Sequence, residues 1–561
     1  MGSSYVSTAM LLLTYFGRRA DLELYSLMCM ISTLAALGPG IGGMVRDRTG
    51  NFTLVFLSRN NRYRPVPYGP AHASPHAREY RRCRYLHARG RLIPTSFSTM
   101  DTRLAMINFA NASKAPYPIT QAERDAVAAA IDPAELLDLA LALGNIPSRS
   151  REELAAATFA YDWMQAEGFR PHLSGATPER PNVIGEYGGH GTGANLLFTA
   201  HLDTESPSGN ATQDRFRYRP ATLAEPEWTR CWLEDGHLHG YPISNDRGPM
   251  SCMLIAAKAL KRAGINLAGK VYLTACPGEI GPEPIEEFAG IDYMGKDIGA
   301  HYLFHHGGVA PDYAIAAEGT DFGMTWQGCG YTVMRIRILG RGLFTPILDT
   351  PARTTSHPNP IYRLGPVIDA LHEWSRAYEH NNIHTGPGGI SRPKAQIASA
   401  WGSPTDFGAG TEVCALYLEV IMTPEQNVAE IYHQLNAVLR TLDLEGFELE
   451  PVVVRHGFEA DSARVAPLAG AVDLATQLAR HQPAPMAHPV YSSMWRDHNV
   501  FNMQRIPALT TGMPRWRPTP DDLTSSALIY ALTMLAVCGR HESPPACMSG
   551  DGVYDDSPFP S

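Results

Sequence analysis

The run Asn195-Leu-Leu-Phe-Thr-Ala200 offers no polar alternation, so as a strand it must be covered on both faces. Such a strand needs helices on either side, and the flanking sequence supplies them. Ile119-Thr-Gln-Ala-Glu123 opens an amphipathic helix, with Thr120 as N-cap and Glu123 at the capping-box position. Further helices are predicted over residues 133–143, 148–168 and 250–263, and strands over 182–186 and 270–275. This alternation predicts an α/β domain built on a mixed sheet covered by helices.

Near residue 330 the pattern changes. Tyr331-Thr-Val-Met-Arg-Ile-Arg-Ile338 alternates with period two, as a half-exposed antiparallel strand does. A helix over 359–379, a strand over 413–422 and a helix over 424–442 complete a small α+β unit. The expected organisation is therefore a main domain over 100–327 and 446–541, interrupted by an insertion at 328–445. The main domain ends in a helix over 521–538, and the Ser-, Pro- and Asp-rich residues 542–561 are expected to be loose. Residues 1–99 do not match the rest: they hold thirteen arginines and no lysine, the first lysine being Lys114. They are expected to form an atypical, loose extension, with Met100 opening the protein proper. The apolar stretch 24–45 is broken by Gly38, Pro39, Gly40, Gly42 and Gly43, so no membrane span is expected.

A net charge of -9 argues against nucleic-acid binding. Nine cysteines, an odd count with no CxxC pair, predict reduced thiols and a cytoplasmic location.

Four junctions carry candidate chemistry. Thr199-Ala-His-Leu-Asp-Thr204 runs a buried strand into His201 and Asp203, which share a face. Such a pair could combine a metal ligand with the carboxylate that orients it. Ser244-Asn-Asp-Arg-Gly-Pro249 places Asp246 where a loop meets a helix, a position that capping alone would explain. Cys276-Pro-Gly-Glu-Ile-Gly281 offers Glu279 after a strand, and Ala314-Ile-Ala-Ala-Glu-Gly-Thr320 ends a strand on Glu318. Each acid alone reads as a solvated loop carboxylate. Together, His, Asp, Glu and Glu at successive strand ends make a hard donor set suited to zinc, manganese or cobalt.

The order of these motifs over residues 120–540 resembles metallopeptidase family 20, which includes aminoacylases, dipeptidases and related amidohydrolases. The resemblance implies a metal held by His201, Asp246 and Glu318, with Asp203 orienting His201. It also implies that the 328–445 insertion is a lid and dimerisation domain, making the protein a homo-oligomer. Arg496-Asp497, Ile506-Pro-Ala-Leu-Thr-Thr-Gly512 and Pro520-Asp-Asp-Leu523 continue the match.

Three departures stand against it. The family's paired glutamates read Gly278-Glu279 here, no histidine lies near Arg517 or Pro518, and Gly340 is followed by Arg341-Gly-Leu-Phe-Thr345 with no histidine. These point to one divalent metal, with Glu279 as general base or weak extra ligand. A metal lowers the pKa of bound water to roughly 7, enough to hydrolyse a C–N bond. Without the carbonyl-binding histidine an activated carbon is the easier target. The best-fitting reaction is then deamination of a carboxylated, electron-poor aryl amine, as in 5-nitroanthranilate-type aminohydrolases, by metal hydroxide. Arg247 and Arg496 are the expected partners of the substrate carboxylate, with Arg515 and Arg517 as further candidates. An aminoacylase or dipeptidase that recruits His498 or His488 is the competing reading, and a non-catalytic scaffold a third.

Overall fold

The computed structural model describes residues 115–402 and 409–541. The expected extension at 1–99, the apolar stretch within it, Met100 and the tail at 542–561 all lie outside the described residues.

Seven strands form the main sheet: β1 (His172–Ser174), β2 (Asn182–Gly188), β3 (Leu196–His201), β4 (Lys270–Cys276), β5 (Tyr313–Ala317), β6 (Met324–Thr325) and, much later, β11 (Ala508–Thr511). Their spatial order is β1-β2-β4-β3-β5-β11-β6. The four central strands β4, β3, β5 and β11 are parallel, and the flanking strands antiparallel. Every residue of β3 is buried, as its unbroken apolar run requires. On one face Leu196, Phe198 and Ala200 join the large core, and on the other Leu197 joins a smaller cluster with Trp495, Val500 and Phe501.

The large core is roofed by α1 (Gln121–Ala130), α2 (Pro133–Gly144), α4 (Gly248–Arg262), α7 (Ser462–Arg480) and α8 (Pro520–Cys538). The capping box predicted for α1 is present: the Thr120 side chain accepts from the Glu123 amide and the Glu123 side chain accepts from the Thr120 amide. Helix α3 (Leu154–Ala166) is shorter than the 148–168 expected. Helix α8 is long and apolar enough to cross a membrane, but it is largely buried against α4 and α7, as a core helix.

The inserted unit holds a four-stranded antiparallel sheet, ordered β8 (Ala395–Trp401), β9 (Val413–Met422), β7 (Gly330–Leu339), β10 (Gly446–Arg455). The predicted alternation of β7 is borne out: Thr332, Met334, Ile336 and Ile338 are buried, while Arg335 and Arg337 are half-buried. The buried side packs on α5 (Leu364–Asn381) and α6 (Val428–Arg440). The 445 boundary is corrected here. Strand β10 pairs with β7 from Tyr331 to Leu339, so the inserted sheet continues to Arg455. Its alternation is spoiled by Pro451, which sits at a register shift opposite Met334 and removes a ladder donor. His305 and His306 end a short helix (Ala300–His306).

Candidate active site

Parallel strands bring their C-terminal ends to one edge of the sheet, and the candidate residues follow those ends. His201 closes β3, Glu279 follows β4, Glu318 follows β5, and Arg515 follows β11. His201 and Cys276 are register partners, which sets the Glu279 segment beside the histidine. Gly278, at φ +74°, makes the turn: a Cβ there would meet the Gly295 carbonyl at 2.6 Å.

The His201 ring is 1% exposed. Its Nδ1 lies 2.7 Å from the Asp203 backbone carbonyl and 3.6 Å from Asp203 Oδ1. Nδ1 therefore donates to the carbonyl, and Nε2 looks into the site. Around Nε2 stand Asn245 Oδ1 at 3.1 Å, Asp246 Oδ2 at 3.9 Å and Glu279 Oε2 at 4.0 Å. Burial opposes charge on the ring, but Asp246, Asp203 and Glu279 outweigh it and hold the imidazole pKa up to about 10. A cluster of this kind demands positive charge.

Asp246 is fully buried. Its Oδ2 accepts from the His201 amide at 3.2 Å, and its Oδ1 has no partner. Burial pushes its pKa up to about 6, against the pull of His201. Asp203, expected to orient His201, has its carboxylate beside the ring at 3.6 Å from Nδ1. The carboxylate accepts from the amides of Glu279 (2.9 Å) and Ile280 (2.8 Å), and it is the backbone carbonyl that holds His201 most closely. Asp203 thus ties the histidine to the Glu279 segment. Burial opposes its ionisation, but the His201 ring and the two amides keep its pKa low.

Glu318, the expected third ligand, is buried and ion-paired with the buried guanidinium of Arg496, the expected substrate clamp. Burial, reinforced by Arg515, lowers the Arg496 pKa to about 9. Arg247 is closed off from solvent and donates to the Leu202 carbonyl, so it braces the segment between His201 and Asp203 rather than offering an open clamp. Its Nε and Nη1 lack partners, and burial lowers its pKa to about 10. Next to Arg496 in the chain, burial and the charge of Glu279 push Asp497 up to about 7. His498 turns Nδ1 to Thr510 Oγ1 at 2.7 Å, and burial beside Arg496 lowers it to about 3. His488 caps a short helix at Val490.

Sequence reasoning missed two neighbours. Asn245, one residue before Asp246, places the oxygen closest to His201 Nε2 and also lies 3.5 Å from Arg515 Nη1. Lys296 reaches back to Glu279 across a loop. Its one signal in the sequence is rarity, the chain having six lysines against forty-one arginines.

The donors suit a divalent cation in kind. His201, Asp246 and the Asn245 carbonyl oxygen supply nitrogen and hard oxygen, and the unpartnered Asp246 Oδ1 is a buried acceptor that a cation would satisfy. Among the described residues no group of three His, Cys, Asp or Glu side chains is arranged to hold a metal ion. Glu318 is one reason, since Arg496 engages it.

No family model matches the sequence. The fold does match solved structures. Human carnosine dipeptidase 1 superposes with a TM-score of 0.53 at 14% identity, over 75% of this chain and all of that one. The di-peptidase Dug1p from Saccharomyces cerevisiae gives 0.54 at 12%, over 75% of this chain and all of that one. An M20 family metallo-carboxypeptidase from Sulfolobus solfataricus gives 0.51 at 13%, over 72% and 99% of the two chains. At these identities the likeness is one of fold. The chain has an M20-like architecture, a mixed α/β sheet domain interrupted by a smaller α+β domain.

Proposed function

We propose that this protein is a metal-dependent hydrolase of C–N bonds in a small carboxylated substrate, with an amide as the first choice. The observation that carries this is the convergence of Asn245, Asp246 and Glu279 on His201 Nε2 within 4.0 Å, at the strand ends where the fold gathers its loops. Metallo-carboxypeptidase and dipeptidase names among the fold neighbours support the reading.

His201, Asp246 and Asn245 would hold one manganese or zinc ion, with Glu279 at its edge. When bound, that ion supplies Lewis acidity and makes water acidic enough to deprotonate near neutral pH. The chain's own residues do the rest. Glu279 takes the proton of the attacking water at Oε2, the oxygen facing His201, and delivers it to the leaving nitrogen. Asp203 fixes the Glu279 segment through two amides. Arg515, 3.5 Å from Asn245 and 3.9 Å from Glu205, would take a substrate carboxylate. We also propose association of copies through the inserted domain.

Deamination of an electron-poor aryl amine is the second reading. It is favoured by the Trp495 and Tyr331 rings that flank Lys296, the ion-pair partner of Glu279. One experiment separates the two. The manganese-loaded protein is assayed against N-acyl amino acids, dipeptides and carboxylated nitro-aryl amines, with metal content measured alongside. Amide cleavage with one tightly held ion is expected. Ammonia release from the aryl amines alone would transfer the proposal to deamination, and no turnover in any arm would end both.

A further inference from the structure

Between β4 and β5 the chain makes a long loop that leaves the sheet at Glu279 and returns past Lys296. The Lys296 side chain is 7% exposed, and its Nζ lies 3.2 Å from Glu279 Oε1 while also donating to the Glu279 backbone carbonyl. The ammonium stands 5.5 Å from the Trp495 ring centroid and 6.0 Å from that of Tyr331. Both side chains of the pair are largely buried, the Glu279 side chain at 11% exposed, so the attraction acts at reduced effective dielectric. The other oxygen of the same carboxylate, Oε2, faces His201 Nε2 at 4.0 Å. The neighbouring Asp297 is clamped by Arg455 through bonds of 2.7 and 2.9 Å, which fixes the backbone that carries the lysine.

We propose that Lys296 is a positioning residue for hydrolysis: it anchors Oε1 of Glu279 so that Oε2 alone is presented to the reacting water. This rests on Glu279 being the base, as proposed above. The two oxygens of a free carboxylate exchange by rotation, and a base that rotates spends part of its time misaimed. A compact ammonium donating to both the side chain and the backbone of one residue prevents that rotation. The planar fork of an arginine would have to meet the same two acceptors between the same two rings. The use of lysine here, in a chain that otherwise favours arginine, fits this demand.

The test is a double-mutant cycle on the full-length, manganese-loaded protein, using Lys296→Gln, Glu279→Gln and the pair, with kcat and KM measured separately. Lys296→Gln should lower kcat by about 10–100-fold with KM and metal content little changed. If the lysine works through Glu279, adding Lys296→Gln to Glu279→Gln should cost nothing further. Should Lys296→Gln fail to fold, Lys296→Arg takes its place in the cycle and should likewise cost nothing in the Glu279→Gln background. Losses that multiply in an active protein would overturn this inference alone. A wild type inactive on every substrate class would remove the proposed function and this inference with it.

Discussion

The two sheets use the same side-chain chemistry to different ends. In the main sheet, charges are absent from the buried strand interiors β3 and β5 and crowd at the C-terminal ends, where His201, Asp246, Glu318 and Arg496 are each at most 3% exposed. In the inserted sheet, Arg335 and Arg337 stand mid-strand and pair across the ladder with Glu450 and Glu448, on side chains 27–51% exposed. Exposed pairs are screened and worth little, whereas a buried group that loses its partner is left to bear its full desolvation cost. Burial, more than pairing, therefore decides where substitution will matter.

The sharpest break between the sheets should come from His201→Ala, which leaves three oxygen donors without their nitrogen. Turnover should fall by about a thousandfold or more, equivalent to roughly 4 kcal/mol of barrier, with manganese affinity falling too. A variant that keeps its metal and its rate would detach the site from this edge of the sheet.

Core truncations should treat the sheets alike. Phe198→Ala in β3, where the ring meets Tyr530 edge-on at 5.1 Å, should cost about 3–5 kcal/mol by denaturant unfolding. Ile336→Ala in β7, fully buried against α5 and α6, should cost about 2–5 kcal/mol. A negligible loss at Ile336 would mean that the insertion is loosely packed.

Asp203→Asn keeps the shape but removes the charge that accepts two amides at the Glu279 turn. A loss of about 10–100-fold in kcat is expected, with the fold retained. A thousandfold loss together with loss of metal would make Asp203 a ligand itself.

Glu123, held by Arg540 and by the Thr120 cap, shows the pH dependence of a partly buried pair. Burial opposes its ionisation, but these partners lower its pKa from 4.5 to about 2. Its contribution is fully present above about pH 4.5 and drains away as pH falls toward 2. Glu123→Gln should therefore lower the thermal midpoint at pH 7 and have progressively less effect below pH 4. An unchanged difference at pH 2.5 would assign its role to shape alone. The smallest effect belongs to the inserted sheet's surface: Arg337→Ala should shift stability by less than about 1 kcal/mol.

Much of this was legible in the sequence because burial leaves a periodic imprint. The unbroken run at 195–200, the alternation at 331–338 and the Thr120–Glu123 box each became the expected element. Candidate residues at strand ends were legible for the same reason, since an apolar run that stops on His201 or just before Glu318 announces its own edge. Partnership across long separations was not. Nothing periodic links Glu318 to Arg496, Asp203 to the Glu279 amide or Glu279 to Lys296, and a loop without pattern hid the last of these. Asn245 was passed over because a neutral amide beside a charged neighbour looks like a cap. The end of the insertion was blurred by Pro451, which breaks the alternation that would have revealed β10.

The position of β11 has a consequence for how the chain is made. This strand lies between β5 and β6, yet it is drawn from residues 508–511, after the whole inserted unit. Likewise the amide of Tyr117 bonds to Ala536 at 2.7 Å, joining the start of the described chain to its last helix. A ribosome that delivers the chain in order can complete the inserted sheet once Arg455 has emerged, while the outer sheet still lacks a central strand. Until Thr511 follows, β5 presents an open edge of Tyr313–Ala317, apolar and unpaired on that side. That interval of synthesis is when the protein is most exposed to pairing with the wrong strand, and when a chaperone would have most to protect.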